Sequence, residues 1–350
     1  MAGLCAAARA RELGARPVVL EKGTRAGGSM LLSSCVVWRH RAFDDFRSEC
    51  PDGDPRLQQV IFERLDDGLR WLEQLGAPVV ARETRNPRTT GIRFDPQGLT
   101  EALVDAVGQI RLERALDAAE GPIVLATGGF QGDPKLVQRY VRPAAPLRLR
   151  ANPWSAGDGL RFGLGRGAAL SNGLSEFYGR NMPDADFGEA DFVPLAQLYG
   201  RYARAFNDRG KEFFTGEVSW SENDLVQATA RQPGALAWYV VGEAALVQRV
   251  QERSVREMVE AAPTRVPPSE LPFAAPAGAV AAVRVKPGIT HTIGGLRIDE
   301  HARVLAPDGT PVDGLYASGA DAGGVAAGGY ASGLAAALVF GCIAAETALS

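Results

Sequence analysis

The residues best suited to chemistry lie toward the C-terminus. The run Pro287-Gly288-Ile289-Thr290-His291-Thr292-Ile293-Gly294-Gly295 sets an imidazole between two hydroxyls and ahead of paired glycines. Gly314-Leu315-Tyr316-Ala317-Ser318-Gly319 follows, then Gly323-Gly324, then Gly328-Gly329-Tyr330-Ala331-Ser332-Gly333. An apolar strand stopping at glycine, a glycine-rich turn and an Ala-rich helix bring backbone close to a large planar or pyrophosphate-bearing ligand. The end of the chain therefore reads as built to touch a dinucleotide. On the residues alone, His291 reads first as a packed or solvated strand residue, and Tyr330 as a packing residue with a neutral hydroxyl.

Elements that could position such a ligand appear earlier. Gly3 opens a helix of small residues (Ala2, Ala6, Ala7, Ala8, Ala10) that closes at Leu13-Gly14-Ala15, and Pro17-Val18-Val19-Leu20-Glu21 reads as a buried strand ending in an acid. In dinucleotide folds such glycines let the helix pack tightly, and the acid takes ribose hydroxyls. Only the last glycine of that fingerprint stands here, so an ordinary α/β helix and strand explain the same residues. Pro122-Ile123-Val124-Leu125 is a continuous apolar run, which suits a strand buried on both faces, and it ends in Ala126-Thr127-Gly128-Gly129-Phe130. Asn152 to Gly159 contains Gly157-Asp158-Gly159 ahead of a helical stretch from Leu160 to Ala169. Asp158 there is either a ligand contact or a simple helix N-cap.

Together these segments carry a resemblance. The order Thr-His-Thr-x-Gly-Gly, Gly-Leu-Tyr-Ala-x-Gly, Gly-Gly-Tyr and Phe-Gly resembles the fumarate reductase and succinate dehydrogenase flavoprotein superfamily, including its 3-ketosteroid and tricarballylate dehydrogenase branches. The resemblance implies a Rossmann-like FAD-binding domain, incomplete at its N-terminus, with an inserted α+β cap: an α/β protein with FAD-binding parts at 1–169 and 285–350 and a cap at 170–284. It implies cofactor contacts from Gly3, Glu21, Lys22, Gly28, Ser29, Thr127, Gly128, Asp158, Gly319, Asp321, Ser332 and Gly333. FAD would be held noncovalently, since no histidine lies near Ser29. It also places His291 and Tyr330 on the activating oxygen of a carbonyl or carboxylate substrate, with a cap residue such as Tyr178 or Arg180 handling the proton.

Departures from the family pattern matter. Where family members continue Ser-Gly-Gly, this chain has Ser33-Ser34-Cys35. Tyr330 stands where fumarate reductases have an arginine, and Ser219, Trp220 and Ser221 are nearest to the expected cap arginine. A dicarboxylate wants bidentate arginines, so the resemblance points away from fumarate reductase itself and toward a C–C bond beside a carbonyl. The acid after Gly319 arrives one residue late, at Asp321. Between Val107 and Gly121 only Ile110-Arg111-Leu112 suggests a strand, so the chain reads as shortened internally as well as at its start.

Composition bounds the rest. With 350 residues, 46% hydrophobic and 23% charged, the chain can bury a core and hold two domains. A net charge of -3 gives no basic field for nucleic acid. Cys5, Cys35, Cys50 and Cys342 lack metal-ligand or C-x-x-C spacing, which suits reduced thiols and the cytoplasm. No apolar run is long enough to cross a bilayer, and no signal peptide is expected. Phe43 to Leu75 has helical periodicity and a stop at Gly76, Arg82 to Arg93 reads as a surface loop, and Glu243 to Val259 as helix. The expected function is hydride transfer between flavin and a small-molecule substrate, with an electron partner the residues do not name. The alternative is a truncated or degenerate homologue with weak FAD binding and no catalysis. An NAD-dependent Rossmann reductase leaves the C-terminal motifs unexplained.

Overall fold

A computed structural model describes residues 1–116, 121–143 and 145–350. In chain order, α1 (Ala2–Glu12) leads to β1 (Val19–Leu20), α2 (Gly28–Leu31), β2 (Val36–His40), α3 (Phe43–Glu49) and α4 (Pro55–Gln74). Next come β3 (Val79–Ala81), β4 (Thr89–Phe94), α5 (Pro96–Val107), β5 (Ile110–Arg111), β6 (Ile123–Leu125), α6 (Pro134–Tyr140), β7 (Arg148–Leu149) and α7 (Asp158–Gly165). The middle of the chain forms β8 (Phe177–Pro183), β9 (Arg204–Phe206), β10 (Glu212–Phe214), α8 (Asn223–Ala230), β11 (Ala237–Gly242) and α9 (Glu243–Leu246). Then follow β12 (Arg249–Val250), β13 (Arg253–Ser254), α10 (Val255–Ala261), β14 (Arg265–Val266), β15 (Ala279–Thr292), β16 (Arg303–Leu305), β17 (Pro311–Ala317) and α11 (Gly333–Ala348). The chain divides into two compact units: Met1–Val141 with Ala151–Phe177 and His291–Ser350, and Arg142–Arg150 with Tyr178–Thr290.

The first unit is organised by α1 lying on α11. Their small side chains make this possible: a Cβ on Gly341 of α11 would come within 2.7 Å of the Ala2 carbonyl oxygen. Helix α4 is amphipathic, burying Leu57, Ile61, Leu65, Leu69 and Leu72 at helical spacing. Asp54 caps it by accepting from Arg56 N at 2.9 Å, Pro55 occupies the first turn, and Gly76 follows its end with φ 89°. Truncating fully buried Leu65 or Leu72 to alanine would cost about 2–5 kcal/mol.

Strand pairing corrects two expectations. Strand β1 pairs only with β5, in parallel, and β6 pairs in parallel with β17, whose other neighbour is β16. Among the described residues no strand joins these two small sheets, so the 17–21 segment is half-buried rather than buried, with Val18 64% exposed. Nor is 82–93 all loop. Thr89–Phe94 forms β4, the central strand of an antiparallel sheet ordered β2-β4-β3. Its arginines and threonines masked an alternation that buries Ile92 and Phe94, and pairing with β2 fixed it as strand.

In the second unit, β10-β9-β11-β15-β14 form one sheet, and β7 and β8 also pair with β15. Tyr239, Val241, Val283 and Val285 bury one face against Val255, Met258 and Val259 of α10. A hairpin turning at Asn207-Asp208-Arg209-Gly210 joins β9 and β10. The helix expected over 243–259 is not continuous. It breaks into α9, the β12–β13 pair turning at Gln251 (φ 56°), and α10, which Ser254 and Glu257 start with a capping box.

Candidate functional site

Three segments of the first unit distant in sequence meet at glycine turns. The start of α1 packs on the turn after β6, since a Cβ on Gly3 would meet Ala126 Cβ at 3.3 Å. The turn after β17 joins them: Ser318 N donates to Leu125 O at 2.9 Å, and Gly319 lies beside Ala2, 3.1 Å from its Cβ to a Cβ built on the glycine.

Asp321 locks this meeting point. It is 1% exposed, and its carboxylate accepts from Thr127 N, from Thr127 Oγ1 at 3.1 Å and from Gly129 N at 3.0 Å. Burial pushes its pKa up while those donors pull it down. Thr127 Oγ1 also accepts from Gly159 N at 2.9 Å, which ties the start of α7 to the same turn. Gly128 and Gly129 have φ of 93° and 84°, and a side chain on Gly129 would come 2.6 Å from Thr292 Oγ1 and 2.9 Å from Gln131 Oε1. Those two oxygens are buried, without a hydrogen-bond partner in the protein, and face the same small space.

The ribose-acid segment lies in the same unit. Glu21 Oε1 accepts from Gly23 N at 2.7 Å, and Lys22 Nζ pairs with Asp158 Oδ2 at 2.7 Å. Asp158 is not the helix cap: Gly157 holds that position with φ 83°, and Asp158 sits in the first turn of α7, where the helix dipole favours an acid. Gly28 begins α2 with φ 54°, and Ser29 Oγ accepts from Asn152 N at 3.2 Å. Ser33-Ser34-Cys35 keeps the turn that glycines were expected to make, because Cys35 itself takes a left-handed backbone at φ 53° and is fully buried.

His291 and Tyr330 are brought together near the N-terminus of α11. Their ring centroids are 6.3 Å apart, and Tyr330 meets Trp38 of β2 edge-on at 5.9 Å. Trp38 in turn contacts His40, and His40 contacts Phe46, so a line of rings runs from the imidazole into the core. Ser332 caps α11, accepting from Ala335 N at 3.3 Å and from Trp38 N at 3.4 Å. A Cβ on Gly333 would lie 3.1 Å from His291 Nε2, so glycine there admits the imidazole to the helix end. His291 is half-buried overall, yet its Nε2 is shielded from water, and burial lowers its pKa so that the ring is neutral near pH 7. Its Nδ1–H donates to the Thr292 carbonyl at 3.1 Å, and a carbonyl can only accept, so in the neutral ring Nε2 carries the lone pair.

The second unit holds its own polar cluster. The Arg180 guanidinium donates to Ser221 O and lies 5.2 Å from the Tyr178 ring centre. Glu222, 4% exposed with φ 55°, is pushed up to about 7 by burial, against the pull of Arg180, Arg201 and backbone donors. Sequence reasoning passed over Glu222, Trp38, Gln131 and Trp154. Of the neighbours of His291, Thr292, Tyr330 and Gly333 all lay inside motifs that could have announced them.

Two parallel strand pairs, glycine turns over a buried acid, Glu21 just after β1 and a capped Ala-rich closing helix fit a dinucleotide-binding flavoprotein fold. The sequence matches the FAD binding domain family over residues 1–102 and 95–334, and the chain belongs to that family. FAD is its cofactor. Glycine turns that a Cβ would fill and two unpartnered buried oxygens fit such a group. A probable fumarate reductase of Shewanella frigidimarina (strain NCIMB 400) is 21% identical over 411 positions, covering 91% of this chain and 67% of the relative. An NADH:fumarate oxidoreductase of Klebsiella pneumoniae (strain 342) is 23% identical, covering 91% of this chain, which spans only 43% of that protein. Among solved structures, 3-ketosteroid-Δ4-(5α)-dehydrogenase from Rhodococcus jostii RHA1 superposes with a TM-score of 0.72 at 20% identity, over 100% of this chain and 95% of that one. The open conformation of a flavocytochrome c3 fumarate reductase gives 0.71 at 20% identity, over 99% and 76%.

Proposed function

We propose that this flavoprotein transfers a hydride between FAD and a C–C bond activated by a neighbouring carbonyl, with His291 and Tyr330 as its working side chains. Bound FAD supplies a two-electron acceptor or donor. Thr127, Gly128, Gly319, Ser332 and Gly333 shape the turns and helix end that would hold it, with Asp321 setting those turns from behind. Glu21 and Lys22 would take its ribose and phosphate half. The second unit, with Tyr178 and Arg180, would serve as the cap, and an electron partner outside the chain completes the turnover.

The observation that carries this reading is the 3.1 Å contact between His291 Nδ1 and the Thr292 carbonyl, from which the tautomer is inferred. An imidazole with its proton on Nδ1 and its lone pair on Nε2 is a proton acceptor, while Tyr330 offers a hydroxyl that donates to a carbonyl oxygen. The two side chains therefore divide the work expected of both on one oxygen. Tyr330 polarises the carbonyl, which acidifies the adjacent C–H, and His291 Nε2 accepts that proton. This favours the dehydrogenating direction on a neutral carbonyl compound over a dicarboxylate. Among the described residues no helix is long and apolar enough to cross a membrane, and with the chain's cysteines unbridged we place the protein in the cytoplasm.

One observation favours a second reading, a family member that binds FAD weakly and does no catalysis: β1 and β6 lie in separate sheets rather than one. Anaerobic mixing of FAD-loaded protein with cyclic ketones and with dicarboxylates separates the two. Bleaching of the oxidised flavin band by a ketone supports hydride transfer. Protein that holds no FAD, or holds it and is bleached by neither class, leaves the weak-binding reading standing.

A further inference from the structure

One aromatic side chain beside the ribose-acid segment is given no role by the turns described above. Trp154 lies in the loop before α7, half-buried. Its indole presses on the backbone of Gly23, such that a Cβ there would come 2.6 Å from Cζ3 and 2.8 Å from Cδ2. Only glycine lets the ring lie this close to the main chain. The loop is pinned from both sides: Trp154 N donates to Asn152 Oδ1 at 2.9 Å, and Asn152 N donates to Ser29 Oγ at 3.2 Å. On one side of Gly23 stand Glu21, whose carboxylate is fixed by Gly23 N, and Lys22, which pairs with Asp158 four residues beyond Trp154.

A large, partly exposed indole on a backbone held by polar contacts, next to Glu21 and Lys22, has the parts of a nucleotide seat. The acid suits ribose hydroxyls, the lysine suits phosphate, and the indole offers a π-face to a base. We propose that Trp154 is a cofactor-positioning residue whose ring stacks on the adenosine half of the dinucleotide. This rests on the FAD reading above and adds to it which end of the cofactor meets this loop.

The test uses the full 350-residue chain and two probes, FAD and ADP, with affinities from equilibrium dialysis and from quenching of tryptophan fluorescence. W154A should bind both probes about tenfold more weakly, the range that base–aromatic stacking spans, with the melting temperature of the unliganded protein unchanged. W154F should stay close to wild type, because a phenyl ring keeps the π-face. The proposal is overturned if W154A binds FAD and ADP as the wild type does, if FAD alone weakens, or if the W154A loss comes with a matching fall in melting temperature and is shared by W154F. A wild type that binds FAD with W154A unchanged removes only the stacking role. A wild type that binds neither probe removes the cofactor reading with it.

Discussion

Two parts of the first unit use buried polar groups in opposite ways. At the Thr127 turn, Asp321 receives three protein donors, so the carboxylate is spent on holding backbone. At the helix end, His291 and Tyr330 are set among rings, with Trp38, His40 and Phe46 behind them. The first region is stiffened by charge-assisted hydrogen bonds, and the second is shaped largely by aromatic packing. Substitutions should therefore unfold one region and silence the other.

The largest effect belongs to the stiff region. Asp321→Ala leaves Thr127 N, Thr127 Oγ1 and Gly129 N without their acceptor, and should lower stability by about 3 kcal/mol or more in urea denaturation. Stability within 1 kcal/mol of wild type, an order-of-magnitude bound for surface changes, would erase the contrast. His291→Ala should do the reverse, lowering kcat about 100-fold, some 2.7 kcal/mol, while FAD affinity and melting temperature hold. Equal turnover in that variant removes His291 from the chemistry. Tyr330→Phe keeps the ring and loses the hydroxyl, so kcat should fall about tenfold with packing intact.

The pH dependence sharpens the same division. As a base, His291 must be unprotonated, so turnover should climb as pH rises through a midpoint below 6.5 and stay level above it. His291→Ala should lose that limb, and a fall in rate over the same interval would reassign the imidazole as an acid. His40 acts on stability rather than on turnover. Burial lowers its pKa to about 4, so the unfolded chain binds the extra proton first. The stability it contributes is present above pH 6.5 and declines as pH falls from there toward 4. His40→Phe should shift acid unfolding to lower pH.

Much of this was legible before folding. The sharp turns at glycines 128, 129 and 319 and the Ala-rich helices at both ends of the chain follow from local rules about φ and small side chains. The α/β class and the cofactor followed from the same motifs. Of the two readings of Asp158, the helix N-cap does not hold, because Gly157, in the left-handed region, makes the cap. Strand β4 was hidden because threonine, glycine and arginine stand among its apolar residues, and only its pairing with β2 made it strand.

What the sequence determined, then, is where the backbone must turn sharply and which segments are small enough to pack closely, since steric limits act within a few residues. Which groups share one site was decided by tertiary structure. Asp321 meets Thr127 across 194 positions and Trp38 meets Ser332 across 294, and no local preference encodes a partner at that distance. The role proposed for Trp154 follows from such a neighbour, Gly23, because a stacking surface is set by what lies against the side chain.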